Sequence, residues 1–344
     1  MKAVRLHGPR KLRVEEVPTP EARAGEVLVR VEVVGICGSD LHYYADGRIG
    51  DTVADAPLVL GHEFSGVVEE VGPGVAGPRP GQRVAVDPAI PCGECEFCLR
   101  GNPNICPTVR FCGTPPTDGA LREYVAWPAG LVHLLPDSID ATGGALLETL
   151  GVALHAVDLG KIRLADRVAV LGTGPIGLMI ARLAKLSGAA EVFATDVNPG
   201  RLAMARAFGA DAAIDARSDD PAGEIKRLTR GRGVDVAFEA AGALETPQQC
   251  VDALRPGGAA VIVGICPDDQ IPIKSTAARR KGVTIKLCRR MKHTYPRSID
   301  LVDRGMVDLR PLVSHRYHLT EAAATFERLG RRQTDVIKAV VEVP

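Results

Sequence analysis

The sequence predicts an α/β chain of two domains, one β-rich and one built on a parallel sheet. The length of 344 residues is more than a single hydrophobic core of common size needs. Near Leu150 the pattern changes from short strand-like runs with Gly/Pro turns to alternating strands and helices. We therefore expect a parallel, doubly wound sheet over 154–291, and a β-rich domain over 1–153 and 292–344.

The β-rich part contains short valine-rich runs at 27–34, 64–71 and 83–86, which favour strands. Glycine and proline crowd the segment 72–81, which predicts successive turns. Short strands joined by such turns are typical of a barrel-like or sandwich domain. A final apolar run, 336–343, is predicted to return to this first domain.

The second part alternates strands and helices, which predicts βαβ units and a parallel sheet. The predicted strands are 167–171, 191–195, 234–238, 259–263 and 283–287, and the predicted helices are 175–186, 199–208 and, nearer the end of the chain, 321–329.

Composition and charge argue against several classes of function. Lys+Arg and Asp+Glu number 42 each, and this zero net charge argues against a nucleic-acid partner, which requires a basic surface. The charged N-terminus is unlike a signal peptide, and no apolar run approaches the ~18 residues of a membrane span. We expect a cytoplasmic protein with no membrane partner, in which the nine cysteines serve as thiols or metal ligands.

Four cysteines fall within one short segment. Cys92, Cys95, Cys98 and Cys106 match the ligand set of a tetrahedral zinc site. An iron–sulfur cluster is the other metal centre that fits four thiolates. Because four sulfur ligands leave no position for substrate, this zinc is predicted to be structural and to hold its loop together.

A second set of possible ligands lies earlier in the chain. Cys37, His62 and Glu63 offer a thiolate, an imidazole and a carboxylate, and three protein ligands leave a fourth position open. A buried thiol and a hydrogen-bonded core histidine are the simpler interpretation. Asp40 favours the metal interpretation, because ligand histidines usually need such a partner to orient the ring.

Three further residues are assigned to catalysis. Ser39 and His42 could pass a proton from a buried alcohol to solvent. Glu148 lies in the apolar run 145–149, where a carboxylate either reaches a metal or costs several kcal/mol to bury without a partner. A surface position is the alternative for this glutamate.

A glycine-rich turn follows the predicted strand 167–171. The residues Gly172, Gly174, Pro175, Ile176 and Gly177 form a G-x-G-x-x-G motif that opens a helix, as in dinucleotide-binding Rossmann units. Glycine allows the backbone to approach a pyrophosphate, which binds at the helix N-terminus.

The choice of dinucleotide depends on the end of the next strand. There Asp196 could accept hydrogen bonds from the adenosine ribose and repel a 2′-phosphate, which predicts NAD. Arg201 lies close by in sequence and could instead favour the phosphate of NADP. Val263 and Gly264, at the end of a later predicted strand, are assigned to the same cofactor site.

These motifs, in this order, resemble the zinc-containing medium-chain dehydrogenase/reductase family over essentially the whole chain. Within it, the segments 37–44, 47–50 and 111–116 look like those of sorbitol, xylitol and related polyol dehydrogenases. The resemblance implies a GroES-like catalytic domain and a Rossmann domain whose parallel, doubly wound sheet has six strands.

The resemblance also implies roles. Cys37, His62 and Glu63 would hold a catalytic zinc, with Glu148 either a direct ligand or a partner of the bound water and substrate. Residues implied to line the substrate pocket are Tyr43, Phe111, Thr114 and Arg290. Asp196 and Arg201 match adenosine-ribose contacts, and two zinc ions per chain and a homo-oligomer, tetramer or dimer, follow by analogy.

The expected reaction is hydride transfer from a secondary alcohol of a polyol to NAD, giving a ketose. Thr149 stands where the polyol subgroup usually has proline, and the segment 289–295 also differs in its side chains, so the substrate is less well defined than the reaction. The alternatives are dehydrogenation of L-idonate, L-threonine or a simple secondary alcohol. From other classes, a non-enzymatic NAD-binding protein and a zinc-finger nucleic-acid module remain alternatives.

Overall fold

The computed structural model describes residues 1–266, 269–330 and 336–344. The chain forms two compact units: Met1–Glu148 together with Tyr295–Pro344, and Thr149–Thr294. No helix within the described ranges combines the length and the apolar composition that a bilayer crossing requires.

The first unit consists mainly of short strands. Its strands are β1 Lys2–Leu6, β2 Leu12–Glu16, β3 Glu26–Gly35, β4 Arg48–Ile49, β5 Thr52–Val53, β6 Leu58–Val59, β7 Glu63–Val71, β8 Arg83–Val86, β9 Ala89–Ile90, β10 Arg110–Phe111, β11 Tyr124–Pro128, β12 Val132–Leu134, β19 Val313–His318 and β20 Lys338–Glu342. Its helices are α1 Gly38–Asp46, α2 Glu96–Leu99, the start of α3 Ala141–Gly160, α9 Tyr295–Asp303 and α10 Ala322–Gly330.

Seven of these strands form the main sheet of the unit, in the order β12-β8-β7-β3-β20-β19, with β11 also paired to β3. The register of β3 against β7 sets Gly35 opposite Glu63, and β20 sets Val340 opposite Gly35. The end of β3 and the starts of β7 and β20 therefore lie close together, at the edge of the sheet that is formed by strand ends.

The prediction that the apolar run 336–343 returns to the first domain is confirmed. Its strand β20 pairs antiparallel with β3 and parallel with β19. The core beneath this sheet includes the fully buried Leu60, Phe64 and Phe326, and the ring of Phe326 lies 5.6 Å from that of Tyr44.

The second unit is a doubly wound α/β domain, and the predicted fold class is confirmed. Its six parallel strands lie in the order β15-β14-β13-β16-β17-β18. They are β13 Arg167–Leu171, β14 Glu191–Asp196, β15 Ala212–Asp215, β16 Val234–Glu239, β17 Leu254–Ile262 and β18 Thr284–Leu287, and the helices are α4 Pro175–Leu186, α5 Pro199–Ala207, α6 Pro221–Leu228, α7 Thr246–Ala253 and α8 Ser275–Lys281.

The helices of this unit begin where their sequences predict. Proline occupies the first turn of α4, α5 and α6, where a missing N–H removes no helical hydrogen bond. The Asn198 side chain caps α5 by accepting hydrogen bonds from two backbone N–H groups, and the Asp220 side chain caps α6 by accepting one, from Ala222.

Sequence and structure differ in extent at some elements. The predicted strands 83–86 and 167–171 and the predicted helix 175–186 have the observed bounds. Strand β17 begins at Leu254, earlier than predicted. Helix α3 was not predicted, because its apolar residues surround the whole helix and leave no amphipathic period. The assignment of 154–291 to the cofactor-binding domain stays a prediction.

A half-buried histidine joins β12 to α9 in the first unit. The ring of His133 stacks on that of Tyr295 with centroids 4.7 Å apart, and the Tyr295 hydroxyl donates to the Val86 carbonyl at 2.6 Å. Burial lowers the pKa of His133 to about 4. The folded protein therefore favours the neutral ring.

This shifted pKa makes stability depend on pH. Between about pH 6.5 and pH 4 the unfolded chain takes up a proton at His133 that the folded chain does not, so stability falls as the pH falls. Across that window we expect wild type to lose up to about 3 kcal/mol more than His133→Phe, which keeps the stacking. Urea unfolding of both proteins at several pH values measures this. Parallel stability curves would contradict the assignment.

Candidate functional site

Three possible metal ligands meet at the sheet edge where β3 ends and β7 begins. Cys37 precedes α1, His62 precedes β7 and Glu63 is its first residue. One ligand atom of each lies within 4.8 Å of the others, and His62 and Glu63 are buried. Cys37, which is distant in sequence from the neighbouring His62 and Glu63, is thus close to both in space.

Asp40 holds this cluster in shape. Its Oδ2 accepts the Cys37 N–H at 2.9 Å, and its Oδ1 accepts the Gly61 N–H at 3.0 Å and lies 3.5 Å from Nδ1 of His62. With Nδ1 directed at Asp40, Nε2 is the ring nitrogen left to bind a metal.

The charges of this pair shift both pKa values. Burial alone would raise the pKa of Asp40, but His62 and the two backbone N–H groups lower it below its ordinary value. Burial likewise would lower the pKa of His62, but the Asp40 carboxylate raises it well above its ordinary value. The imidazole thus has a built-in anionic partner, and binding of a metal would displace a proton.

Sequence reasoning missed Lys338, the first residue of β20. Its side chain is 4% exposed, and Nζ donates to Oε1 of Glu63 at 2.6 Å and also contacts Oε2. Gly35 leaves room for the pair, because a Cβ there would lie 2.1 Å from Oε2 of Glu63. A lysine inside the run 336–343, in which every other residue except Glu342 is apolar, was the available signal.

Glu148 is buried in α3, so the surface position considered from sequence is wrong. Burial raises the pKa of its carboxyl to about 7, with His62 lowering and Glu63 raising it further. Among the described residues, the group of ligand atoms within 4.8 Å contains Cys37, His62 and Glu63, without Glu148. A carboxyl with this pKa can both give and take a proton near neutral pH.

The two residues predicted to relay a proton lie on α1. Ser39 is half-buried, whereas the His42 side chain is 43% exposed, with Nδ1 3.9 Å from Oδ2 of Asp46. The first turn of α1 thus leads from the ligand cluster at Cys37 towards solvent.

Three of the four predicted substrate residues surround the cluster. The Phe111 ring lies 5.1 Å from the ring of His62. Tyr43 is buried and shares a side-chain hydrogen bond with Thr114, and burial raises the pKa of its hydroxyl. Arg290 belongs to the second unit and has a positive φ of 52°.

The four-cysteine loop folds around its own sulfur atoms. The ligand atoms of Cys92, Cys95, Cys98 and Cys106 all lie within 4.8 Å of one another. Backbone N–H groups donate to three of the sulfurs at 3.3 to 3.5 Å. All nine cysteines of the chain are free thiols in the structure.

Both clusters fit zinc. A tetrahedral zinc with ~2.3 Å bonds requires sulfurs about 3.8 Å apart, and Sγ of Cys92 lies 4.0 Å from Sγ of Cys98. The second cluster has the mixed N, O and S donor set, with an open fourth position, that is typical of a catalytic zinc.

The glycine loop of the second unit has the geometry its sequence predicts. Gly172 has a φ of +93°, and Gly174 caps α4 with Pro175 in the first turn. A Cβ at Gly177 would lie 1.9 Å from the carbonyl oxygen of Gly172. The loop therefore packs tightly and leads into the N-terminus of α4, whose first turn contains Ile176. Backbone N–H groups at such a helix N-terminus can bind an anion.

Asp196 and Arg201 both lie beside this loop. Oδ2 of Asp196 accepts the N–H and the hydroxyl of Thr173 at 2.7 and 3.0 Å. The Arg201 guanidinium comes within 4.0 Å of where a Gly174 Cβ would be. Val263 and Gly264 follow the end of β17 at the same edge of the sheet.

Comparisons with known proteins cover the whole chain. The family model described as "Alcohol dehydrogenase GroES-like domain" matches residues 23–137, and the one described as "Zinc-binding dehydrogenase" matches 175–304. Sorbitol dehydrogenase of Bacillus subtilis is 39% identical over 341 residues, which cover 99% of this chain and 97% of that protein.

Solved structures share the complete fold. L-idonate 5-dehydrogenase of Escherichia coli has a TM-score of 0.92 at 29% identity, covering 99% of this chain and 97% of that one. A zinc-binding dehydrogenase of Sinorhizobium meliloti described as bound to NADP has a TM-score of 0.91 at 32% identity, covering 99% and 98%.

The position of Asp40 predicts its contribution to metal binding. Asp40→Asn removes the charge that orients His62, and we expect zinc affinity at this cluster to fall by about 10- to 100-fold. Competition with a chromophoric chelator measures the affinity. Asp46→Asn, at the exposed end of the same helix, is the control and should bind zinc as wild type does. Equal affinities in all three proteins would contradict the role of Asp40.

Proposed function

Because the chain belongs to the zinc-containing medium-chain dehydrogenase/reductase family, we propose that it oxidises a secondary alcohol of a polyol to a ketose and reduces NAD. The observation that carries this proposal is the mixed donor cluster of Cys37, His62 and Glu63 in a unit separate from the glycine loop. The chain is a dehydrogenase that uses zinc and a nicotinamide cofactor. The polyol, the preference for NAD and the residue roles are the proposed parts.

The metal assignments follow the two clusters. Cys37, His62 and Glu63 would hold a catalytic zinc, with Glu148 a partner of the bound water or substrate rather than a fixed ligand. The four-cysteine loop would hold a structural zinc, giving two per chain. When bound, zinc lowers the pKa of an oxygen ligand towards about 7, and the nicotinamide takes up a hydride.

Residues of the chain would move the proton. The substrate hydroxyl proton would pass to Ser39 and then to His42, whose half-exposed side chain can release it to solvent. Glu148, with a pKa near 7, offers a second acceptor through water. Asp40 keeps the His62 ring fixed while this charge moves.

The side chains near the cluster support a polyhydroxy substrate. The Tyr43 hydroxyl and the Thr114 side chain can bond to additional hydroxyl groups, and Phe111 covers His62. Arg290, which the family resemblance also assigns to the substrate pocket, belongs to the second unit. A carboxylate ligand in place of a second thiolate would make a zinc held there harder, which favours oxygen donors such as the hydroxyl groups of a polyol.

Another substrate on the same scaffold is the second candidate. The similarity to an L-idonate 5-dehydrogenase structure favours L-idonate among the alternatives, with L-threonine and simple secondary alcohols as the others. A non-enzymatic NAD-binding protein is disfavoured because Cys37 and His62 are both present and adjacent.

The preference for NAD follows from Asp196. Its buried carboxylate lies at the end of β14, where it would accept ribose hydroxyls and repel a 2′-phosphate. Arg201 lies beside the same loop and would favour NADP, the cofactor named for one similar structure. We also propose a homo-oligomer, tetramer or dimer, which sedimentation velocity would measure.

The two-zinc assignment can be tested by separate removal of each metal. Cys37→Ser should lower bound zinc from two to one per chain and turnover at least about a hundredfold, while NADH binding stays unchanged. Cys95→Ser should also remove one zinc, and it should lower the melting temperature more than Cys37→Ser does. Cys288→Ser, in the second unit, is the control with both metals retained.

These variants also test the catalytic assignment directly. Elemental analysis, steady-state rates and NADH titration give the three readouts. Near wild-type turnover by Cys37→Ser would contradict the catalytic site, and a single zinc in fully loaded wild type would contradict the metal count.

A substrate panel tests the proposed reaction. With xylitol, sorbitol, ribitol, galactitol, L-threonine and L-idonate, each with NAD and with NADP, we expect the highest kcat/KM for a polyol with NAD. Chelation should abolish every rate, because all of them require the same metal. A maximum with L-idonate or L-threonine would replace the polyol assignment, and a preference for NADP would show that Arg201 outweighs Asp196.

A further inference from the structure

We propose that Glu239 is a positioning residue for the cofactor: its buried carboxylate fixes the turns after β16 and β17 against the glycine loop. Glu239 is the last residue of β16 and is 0% exposed. The inference rests on the proposed binding of a dinucleotide at the loop Gly172–Gly177.

Four donors from three segments converge on this one carboxylate. Oε1 accepts the N–H groups of Ala241 and Gly242 at 2.9 and 2.8 Å and the hydroxyl of Thr246 at 2.7 Å. Oε2 accepts the N–H of Gly264 at 3.2 Å. An ionised carboxylate only accepts hydrogen bonds, so it matches four donors in a way that a neutral amide cannot.

The turn held by Glu239 is the surface on which the glycine loop packs. A Cβ at Gly172 would lie 2.5 Å from the Ala241 nitrogen, so the two backbones are in direct contact. The Ala240 N–H also donates to the carbonyl of Leu171, the last residue of β13, at 2.7 Å. A shift of the 240–242 turn would therefore move the first glycine of the loop.

The turn after β17 contacts the same residue through both its side chain and its backbone carbonyl. A Cβ at Gly264 would lie 2.5 Å from Oε2 of Glu239 and 2.4 Å from the Gly242 nitrogen. The Val263 N–H donates to the Glu239 carbonyl at 2.8 Å. Glu239 thus connects the carboxyl ends of neighbouring strands, where dinucleotides bind in this fold.

Asp196 has a matching position on the other side of the loop. Strand β13 lies between β14 and β16, so Asp196 and Glu239 come from the two strands that flank it. Asp196 holds Thr173 directly, and Glu239 holds the backbone beneath Gly172. A loop fixed from both sides loses less entropy when it binds the pyrophosphate.

The negative charge of Glu239 affects cofactor affinity in the opposite direction to the ordering of the turns, and the test must separate the two effects. A carboxylate near a pyrophosphate repels it, so removal of the charge alone would tighten binding. Because four donors are directed at the carboxylate, we infer that loss of order outweighs loss of repulsion. Glu239→Gln should therefore weaken cofactor binding.

Asp235 provides a matched control on the same strand. It is buried and is the second residue of β16, four positions before Glu239. Its carboxylate accepts hydrogen bonds from the Arg167 N–H and from the guanidinium groups of Arg232 and Arg255. Asp235→Asn also removes a buried charge, but at the amino end of β16, away from the glycine loop. A general effect on stability would appear in both variants.

The experiment is calorimetric titration of wild type and variants with NADH and with ADP-ribose, well below every melting temperature. We expect Glu239→Gln to raise both dissociation constants about tenfold. Thr246→Val removes one donor and keeps the carboxylate, and it should raise both dissociation constants about threefold. This variant tests the inference if Glu239→Gln does not fold. Asp235→Asn should stay within twofold of wild type even where its melting temperature falls.

Amide hydrogen exchange without cofactor gives an independent readout. In Glu239→Gln, or in Thr246→Val, exchange should accelerate in the turn 240–243 and at Gly264, and Asp235→Asn should leave these amides unchanged. The inference is wrong if the dissociation constants are unchanged or lower in both Glu239→Gln and Thr246→Val. It is also wrong if Asp235→Asn raises them as much as these variants do. Either result would leave the proposed cofactor unaffected. Absence of NADH binding by wild type would overturn the proposed cofactor and the inference with it.

Discussion

The buried ion pair between Glu63 and Lys338 is the interaction on which the first unit's site depends. It joins the start of β7 to the start of β20 at the sheet edge where Cys37 follows β3. A buried carboxylate without a cation would be strongly unfavourable, and so would the buried lysine. The pair therefore fixes the position of a proposed ligand, and the absent side chain of Gly35 makes the space for it.

Buried carboxylates organise both units by the same chemistry. Asp40 accepts two backbone N–H groups and faces His62, and Asp196 and Glu239 hold the glycine loop from neighbouring strands. In each case an acceptor-only group collects donors that a turn would otherwise leave unsatisfied. Tight turns near the two proposed sites are thereby held by hydrogen bonds to buried carboxylates rather than by apolar packing.

Local motifs were predictable from the sequence, and contacts between distant segments were not. The four-cysteine loop and the glycine loop were found because their ligands or turns lie within a few residues of one another. Lys338 and Glu239 were missed, because the role of a charged residue in an apolar run depends on a partner that only the folded structure brings close to it. The apolar α3 was missed for a related reason, since burial on all sides removes the periodicity that marks a helix.

The separation of Glu63 and Lys338 along the chain has a consequence for maturation. The two residues are 275 positions apart, and the entire second unit is translated between them. On a ribosome, the thiolate, imidazole and carboxylate emerge well before their counter-charge does. Until β20 pairs with β3, a nascent chain would therefore hold Glu63 without its cation, beside the cysteine and the histidine that are also proposed metal ligands.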